Sequence, residues 1–327
     1  MEELRLYTDG SNQSPWCNYS KRSMATQLHD KQLYHRWGQR KLLMSEIQFL
    51  TNYKVKIVIY AGSACGIHII YLAAALFPNI VFYLIDPSLF DRGLTKLPNV
   101  ILQSTFFTDS CIEIILKLCK ERGINPSLDI GFISDIRSDT AVPEKKNSGA
   151  QQHVEDGVLA DMHMQANWVK LLKPKYAMLK FRLPYIVGMS ELVETQNYVE
   201  YLDGLIWTQI YSPEQSSESR LVVTYDPAID GYPTKIYDCK LYENQLYYFN
   251  RYSRVRRTEI PDKLFKQIKK FNSNSIMLKR AEIAIECQIW KEYLLSKNIE
   301  PSDDNIAQLI NDTTYSLFES YLTANTK

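Results

Sequence analysis

Several common signatures are missing from this 327-residue chain, and each absence removes a class of protein. The longest apolar run, in residues 67–77, falls far short of the roughly 20 residues that span a bilayer, so a soluble protein is expected. The opening residues, MEELRLYTDGSNQSPW, are polar and acidic. They lack a basic segment followed by an apolar core, and no signal peptide is read. Cys17, Cys65, Cys111, Cys119, Cys239 and Cys287 form no CxxC pair and have no close histidine partners. Neither a zinc site nor a disulfide framework is indicated, no metal is expected, and a reducing compartment fits best. Net charge is only +1, so any nucleic-acid contact must come from a local basic patch. No internal repeat is visible, and no GxGxxG spacing is present to seat a dinucleotide pyrophosphate.

What is present is apolar material for a core, 45% of residues, and one stretch that organises the rest. Residues 56–86 read KIVIYAGSACGIHIIYLAAALFPNIVFYLID. A short apolar β-rich run at 57–60 is followed by a turn bracketed by Gly62 and Gly66. A buried crossover helix over 67–77 ends at Pro78 and Asn79, and a second strand over 80–85 ends in Asp86. Such a βαβ unit binds ligands at the strand carboxyl ends, where glycines admit the backbone and an acidic residue accepts from ribose hydroxyls. Two glycines four residues apart, with Asp about 20 residues on, suit S-adenosylmethionine, which has no phosphate to cradle.

Elsewhere, residues 1–30 show no sustained period and read as an N-terminal arm, and 39–50 read as an amphipathic helix with Lys41 near its start. A strand at 100–103, a helix over 111–119 and a buried strand at 128–134 follow. Residues 138–156, SDTAVPEKKNSGAQQHVED, are polar and rich in turn formers, which predicts a surface loop beside the site. A helix over 158–172, a strand over 176–181 and a hairpin of 206–211 with 220–225 come next. Short β and turn segments from Lys235 lead through KLYENQLYYFNRY to the basic run RYSRVRR, and everything after Pro261 is helical.

Four ionisable residues stand out against this frame. Lys41 opens the helix before the first strand, Asp135 closes the strand at 128–134, Lys180 lies within a strand, and Glu218 begins another. An ammonium in a strand core is costly without a partner. Lys180 therefore asks for a carboxylate, and Asp135 and Glu218 are the candidates.

The ordered series GQRKLLMSEIQFL (38–50), YAGSACGIHIIYL (60–72), LID (84–86), ISDIRS (133–138), LKFRLPY (179–185), SESRL (217–221) and YENQLYYFN (242–250) resembles a poxvirus family. That family is the cap-specific mRNA nucleoside 2'-O-methyltransferases that also serve as the small, processivity-conferring subunit of poly(A) polymerase. The resemblance implies an α/β fold, a Rossmann-like S-adenosylmethionine-dependent methyltransferase sheet with helices on both faces and a helical C-terminal extension. It implies an arm over 1–30, a methyltransferase domain over 31–258, and an extension over 259–327 packed on that domain.

By the same resemblance the catalytic residues are Lys41, Asp135, Lys180 and Glu218, with Lys180 as general base. The S-adenosyl-L-methionine pocket comprises Gln39, Tyr60, Gly62, Gly66, His68, Asp86, Phe107, Ile136 and Arg137. The cap pocket carries Tyr185 and Glu243, with Tyr19 as the opposing aromatic. The chain departs from the family pattern at Val187, where a second pocket carboxylate is expected, and at Gln215, near an expected tyrosine. Arg137, Arg182 and the cluster from Arg251 to Arg257 are candidates for an RNA track. The implied substrate is 7-methylguanosine-capped mRNA methylated on the first transcribed nucleotide, in the host cytoplasm or virion. The alternative is a binding module for RNA and a poly(A) polymerase catalytic subunit.

Overall fold

A computed structural model describes residues 5–6, 37–63, 65–138, 148–185, 197–213, 215–254, 260–271 and 280–325. Strand β1 (Arg5–Leu6) and helix α1 (Trp37–Asn52) precede the βαβ unit. In that unit β2 (Ile57–Ala61) passes through α2 (Ile67–Tyr71) to β3 (Val81–Ile85), and α2 is prolonged by a π-helical turn at Leu72–Leu76. Next come β4 (Val100–Gln103), α3 (Asp109–Arg122), α4 (Pro126–Asp129), β5 (Ile130–Ser134), α5 (Ser148–Leu172) and β6 (Tyr176–Phe181). The chain continues through β7 (Tyr198–Leu202), β8 (Leu205–Trp207), β9 (Ser219–Thr224), β10 (Thr234–Asp238) and α6 (Cys239–Tyr248). Helices α7 (Asp262–Phe271), α8 (Arg280–Ser296) and α9 (Asp303–Asn325) complete it.

The main sheet runs β1-β8-β9-β6-β5-β2-β3-β4, with β7 and β10 in a separate two-stranded sheet. Strands β2 to β6 are mutually parallel, and β9 and β8 add antiparallel beside β6. Alternate residues of the parallel strands serve two cores, which is why these strands read as continuous apolar runs. Val58, Tyr60, Phe82, Leu84, Ile133 and Met178 pack toward α1, α2, α7, α8 and α9. Ile59, Ala61, Ile85, Phe132, Ala177 and Leu179 pack toward α3, α5 and α6. This is the Rossmann-like sheet with helices on both faces and C-terminal helices that the resemblance implied.

Strand order reverses between β2 and β5, since the chain leaves β2 for β3 and β4 on one side and returns to β5 and β6 on the other. The crevice at that reversal is where such sheets bind ligands.

Three local expectations are corrected. Residues 148–156 belong to the first turns of α5, not to a loop, and Glu155 within them is buried against Arg182 and the Tyr185 backbone. The KLYENQLYYF segment is the helix α6, capped by Asp238, whose carboxylate accepts from Leu241 N at 2.9 Å. Leu128 lies in the short helix α4, which starts on Pro126 and delays the strand to Ile130. Among the described residues no helix is long and apolar enough to cross a membrane.

Candidate active site at the strand carboxyl ends

The floor of the crevice is the turn after β2. Gly62 has φ 78° and Gly66 φ 69°, a region where side chains are strained. A Cβ at Gly62 would also meet Ile136 Cγ1 at 2.8 Å, so this glycine is needed for both conformation and space. Asp86, just past β3, is 7% exposed and accepts from Ser88 N at 2.8 Å. These features fit a nucleoside with a ribose diol: a backbone surface without side chains on one side and a carboxylate at the neighbouring strand end. Ile136 and Arg137 follow β5 on the opposite side, and Arg137 lies 3.6 Å from Asp161. Burial and the neighbouring Arg182 hold the Arg137 guanidinium below its ordinary value.

Behind this turn lies a buried polar group that the sequence reading only half assembled. His68 Nδ1 sits 2.7 Å from Gln39 Oε1, and His68 Nε2 sits 2.9 Å from Glu46 Oε1. The Tyr60 hydroxyl donates to the same Glu46 oxygen at 2.7 Å. Burial, then the Glu46 charge, push the Tyr60 phenol well above its ordinary value, so it stays a donor. Tyr60 and His68 are each 1% exposed, while Gln39 is half-buried. Phe107 turns into the core, 5.5 Å from Phe132 and 4.8 Å from Trp168 between ring centroids. Glu46 escaped the sequence reading, yet it shares the α1 stripe of Leu43, Ile47 and Leu50, where a carboxylate demands a partner.

Lys41, Asp135, Lys180 and Glu218 come from α1, the end of β5, β6 and the residue before β9, and they form one network. Lys41 Nζ lies 2.6 Å from Glu218 Oε1. Lys180 Nζ lies 3.2 Å from Asp135 Oδ1 and 3.6 Å from Glu218 Oε2. A fifth member, Arg220, is 3% exposed and places Nη1 2.7 Å from Asp135 Oδ1 and Nη2 3.6 Å from Glu218 Oε1. Burial alone would raise both carboxyls. Arg220, then Lys180 for Asp135, and Arg220, then Lys41 and Lys180 for Glu218, override it and hold both below the usual carboxylate range. Three cations against two carboxylates leave one net positive charge in a site whose side chains are 22% exposed or less.

Arg220 was missed, although period-2 alternation places it on the Glu218 side of the strand. The pairing of β6 with β9 sets it directly across from Lys180.

Beside this network, Tyr185, Gln215, Ser216, Ser217, Glu243 and Tyr247 line a narrow crevice without room for a water-sized molecule. The structure thus brings together Tyr185 and Glu243, and adds Tyr247 one helical turn beyond Glu243. Burial pushes the Glu243 carboxyl upward, against the pull of Lys240 and Arg182. Arg182 stacks on the Tyr185 ring at 4.4 Å and pairs with Glu155 at 3.0 Å. Tyr19 and Val187 lie outside the described residues, as do Arg256 and Arg257. Arg254 corrects the expected basic track: it is 1% exposed and bound to Glu282 and to the Ser212 carbonyl, so it faces the core rather than RNA. Arg251 is half-buried between the Tyr247 and Tyr252 rings. Among the described residues no cluster of His, Cys, Asp or Glu could hold a metal.

Comparison with known proteins is consistent with this geometry. The chain is 30% identical over 240 residues to the cap-specific mRNA (nucleoside-2'-O-)-methyltransferases of myxoma virus strains Lausanne and Uriarra, covering 69% of this chain and 64% of each relative. It is 32% identical over 201 residues to the fowlpox virus (strain NVSL) protein of the same name, covering 58% of this chain and 59% of the relative. The match thus spans just under two thirds of these relatives' own length. A sequence model described as poly A polymerase regulatory subunit matches residues 16–293. Taken with the sheet and the network at its carboxyl edge, these matches establish that the chain belongs to the poly A polymerase regulatory subunit family.

Proposed function

We propose that this chain is an S-adenosylmethionine-dependent methyltransferase acting on the ribose 2'-hydroxyl of the first transcribed nucleotide of 7-methylguanosine-capped RNA. One observation carries the reading: four ionisable side chains from four separate elements meet in one contact network beside the Gly62 turn and Asp86. The names of the myxoma and fowlpox relatives support it.

In this reading Gly62, Gly66 and Asp86 hold the nucleoside part of the methyl donor, with Gln39, Ile136 and Arg137 at the pocket edge. When bound, S-adenosylmethionine supplies a methyl group activated as a sulfonium. Lys180 receives the proton that the 2'-hydroxyl loses. Lys41 is tied to Glu218 at 2.6 Å, whereas Lys180 has the longer contacts, 3.2 Å to Asp135 and 3.6 Å to Glu218, and is the less tightly held of the two lysines. Asp135 and Glu218 fix both lysines, and Arg220 keeps both carboxylates ionised. Tyr185 and Glu243 take the cap, through stacking on a cationic base and through acceptance from its ring donors.

Replacing Lys180 by Met is expected to lower methyl transfer to capped RNA by about 10²–10⁴-fold, with S-adenosylmethionine affinity within about threefold of the parent. Near-normal turnover would sink the assignment. Equal turnover on uncapped RNA would redirect it to another RNA position.

The family's description favours a second reading, a regulatory partner of a poly(A) polymerase catalytic subunit, and the poxvirus source of the relatives supports action in the host cytoplasm or virion. Co-purification and sizing with that subunit test it, and a chain that stays alone while methylating normally argues against it.

A further inference from the structure

Helix α8 carries two buried carboxylates one turn apart, Glu282 and Glu286, on the face it turns inward. Glu286 is 0% exposed and binds Arg40, with Nη2 to Oε1 at 2.6 Å and Nε to Oε2 at 3.0 Å. The Tyr211 hydroxyl and Trp290 Nε1 also donate to Glu286, the latter at 3.1 Å. Arg40 Nη1 donates to Thr314 Oγ1 of α9 at 2.9 Å, and the guanidinium lies 5.6 Å from the Tyr211 ring centre. One turn away, Glu282 pairs at 3.5 Å with Arg254, which in turn donates to the carbonyls of Ser212 at 2.8 Å and Gln209 at 3.4 Å.

These contacts grip the backs of two segments whose fronts form the ionic network of the active site. Arg40 is the residue before Lys41, and consecutive helical side chains diverge by about 100°, so one faces α8 while the other reaches Glu218. Gln209 lies between Thr208 and Ile210, two residues before Tyr211. With its amide turned so that the oxygen faces donors and the nitrogen faces the carboxylate, Gln209 accepts from Arg220 Nε at 3.0 Å and Ser45 Oγ at 3.0 Å and donates to Glu218 Oε1 at 3.2 Å. Tyr211 itself has φ 61°, a left-handed conformation that a bulky residue holds only when its surroundings impose it. Buried ion pairs are poor stabilisers compared with apolar packing, but they fix geometry.

We infer that Glu286 and Glu282 of α8 are positioning residues for methyl transfer, setting Lys41 through Arg40 and Gln209 through Tyr211 and Arg254. The inference rests on Lys41 being part of the reacting site. It makes the C-terminal helices a working part of the methyltransferase, whatever else docks on them.

The test compares Glu286→Gln with the double variant Arg40→Met plus Glu286→Met, both in the full chain. The readouts are the thermal midpoint, S-adenosylmethionine affinity by calorimetry, and kcat and KM on capped RNA. Glu286→Gln leaves Arg40 uncompensated and is expected to lower the midpoint and to lower kcat about 10- to 100-fold, the scale of a misplacement near 1 Å. KM for RNA and S-adenosylmethionine affinity are expected to stay within about threefold of the parent. The double variant removes both charges, so its midpoint recovers while kcat stays low, because the hydrogen bonds that orient the first turn of α1 are gone. Recovery of parental kcat together with the midpoint would make the pair merely structural and overturn the proposal.

Should Glu286→Gln fail to fold, Thr314→Val removes one hydrogen bond to Arg40 without burying a bare charge. It is expected to lower kcat about 2- to 5-fold at unchanged KM, and an unchanged kcat would count against the proposal. Lys41→Met run in parallel separates the premises. If it is fully active, the reading of Lys41 fails. If it is inactive while Glu286→Gln folds and works normally, only the role of α8 fails.

Discussion

Replacing Arg220 by Met removes the cation that touches both carboxylates of the network while keeping an apolar stem of similar length. Arg220 is 3% exposed and makes the shortest contact to Asp135, 2.7 Å, so its loss leaves two largely buried carboxylates with Lys41 and Lys180 as their remaining ion-pair partners. A unit charge pair about 4 Å apart is worth about 4 kcal/mol at an effective dielectric near 20, and breaking a buried pair costs about 3–5 kcal/mol. At about 2 °C per kcal/mol for a chain of this size, the thermal midpoint near pH 7 is expected to drop by about 6–10 °C.

The pH dependence distinguishes charge from packing. Asp135 and Glu218 are both held below their ordinary values, so their stabilisation is complete above the unfolded carboxyl range near pH 4. It is lost as pH falls through the depressed folded values. Without Arg220 the depression shrinks, and acid therefore costs the variant less than the parent. The gap in midpoint should be constant from pH 7 to about pH 5 and should narrow below about pH 4. Thermal unfolding by circular dichroism at pH 7, 5 and 3.5 measures it. A gap that stays the same at all three, or one below about 2 °C at pH 7, would refute the electrostatic account of Arg220.

Other outcomes follow from named contacts. Gly62→Ala adds a Cβ 2.8 Å from Ile136 Cγ1 at φ 78°. Backbone strain of about 1–2 kcal/mol and overpacking of about 1–3 kcal/mol should lower stability and weaken S-adenosylmethionine binding about tenfold or more, read by calorimetry. Gly123→Ala is the control: with φ 67° and nothing within 4 Å, it should lose only the backbone component and leave cofactor affinity unchanged. Tyr185→Ala is expected to weaken binding of a 7-methylguanosine cap analogue about tenfold, and Glu243→Gln to weaken it to a lesser degree. Fluorescence titration reads both, and unchanged affinity in Tyr185→Ala would exclude that ring from the cap pocket.

Much of the sheet was legible because its information is local. Strands buried on both faces are written as apolar runs, and the positive-φ turn between β2 and α2 is marked by Gly62 and Gly66. Helix α6 was misread because tyrosine and phenylalanine favour strands, while its helical character lies in the Asp238 cap and in Tyr242 and Leu246 turning one face inward. The β segment read from Lys235 is β10, whereas its partner β7 was missed because YVEYL is short and half-polar and pairs only with β10. The first turns of α5 carry few apolar residues to reveal a period, and what holds Glu155 there is Arg182, 27 residues on.

Within the site, Asp135, Lys180 and Glu218 could be singled out from sequence because a charge at a strand end or in a strand core calls for explanation where it stands, whereas Lys41, on a helix, joins them by its place before the first strand and by the family resemblance. Asp86 was legible from its spacing after the glycine turn. The roles of Arg220, Glu46 and Glu286 were not legible, because each depends on a partner supplied by another element: Lys180 across the β6–β9 register, His68 from α2, and Arg40 at a separation of 246 residues. Periodicity and turn chemistry act over a few residues, so the order of amino acids specifies most strands and helices and the charges at their ends. Which buried charge meets which is settled by how those elements pack. Those pairings depend on sheet register and helix docking, and a one-residue slip in either would reassign every one of them.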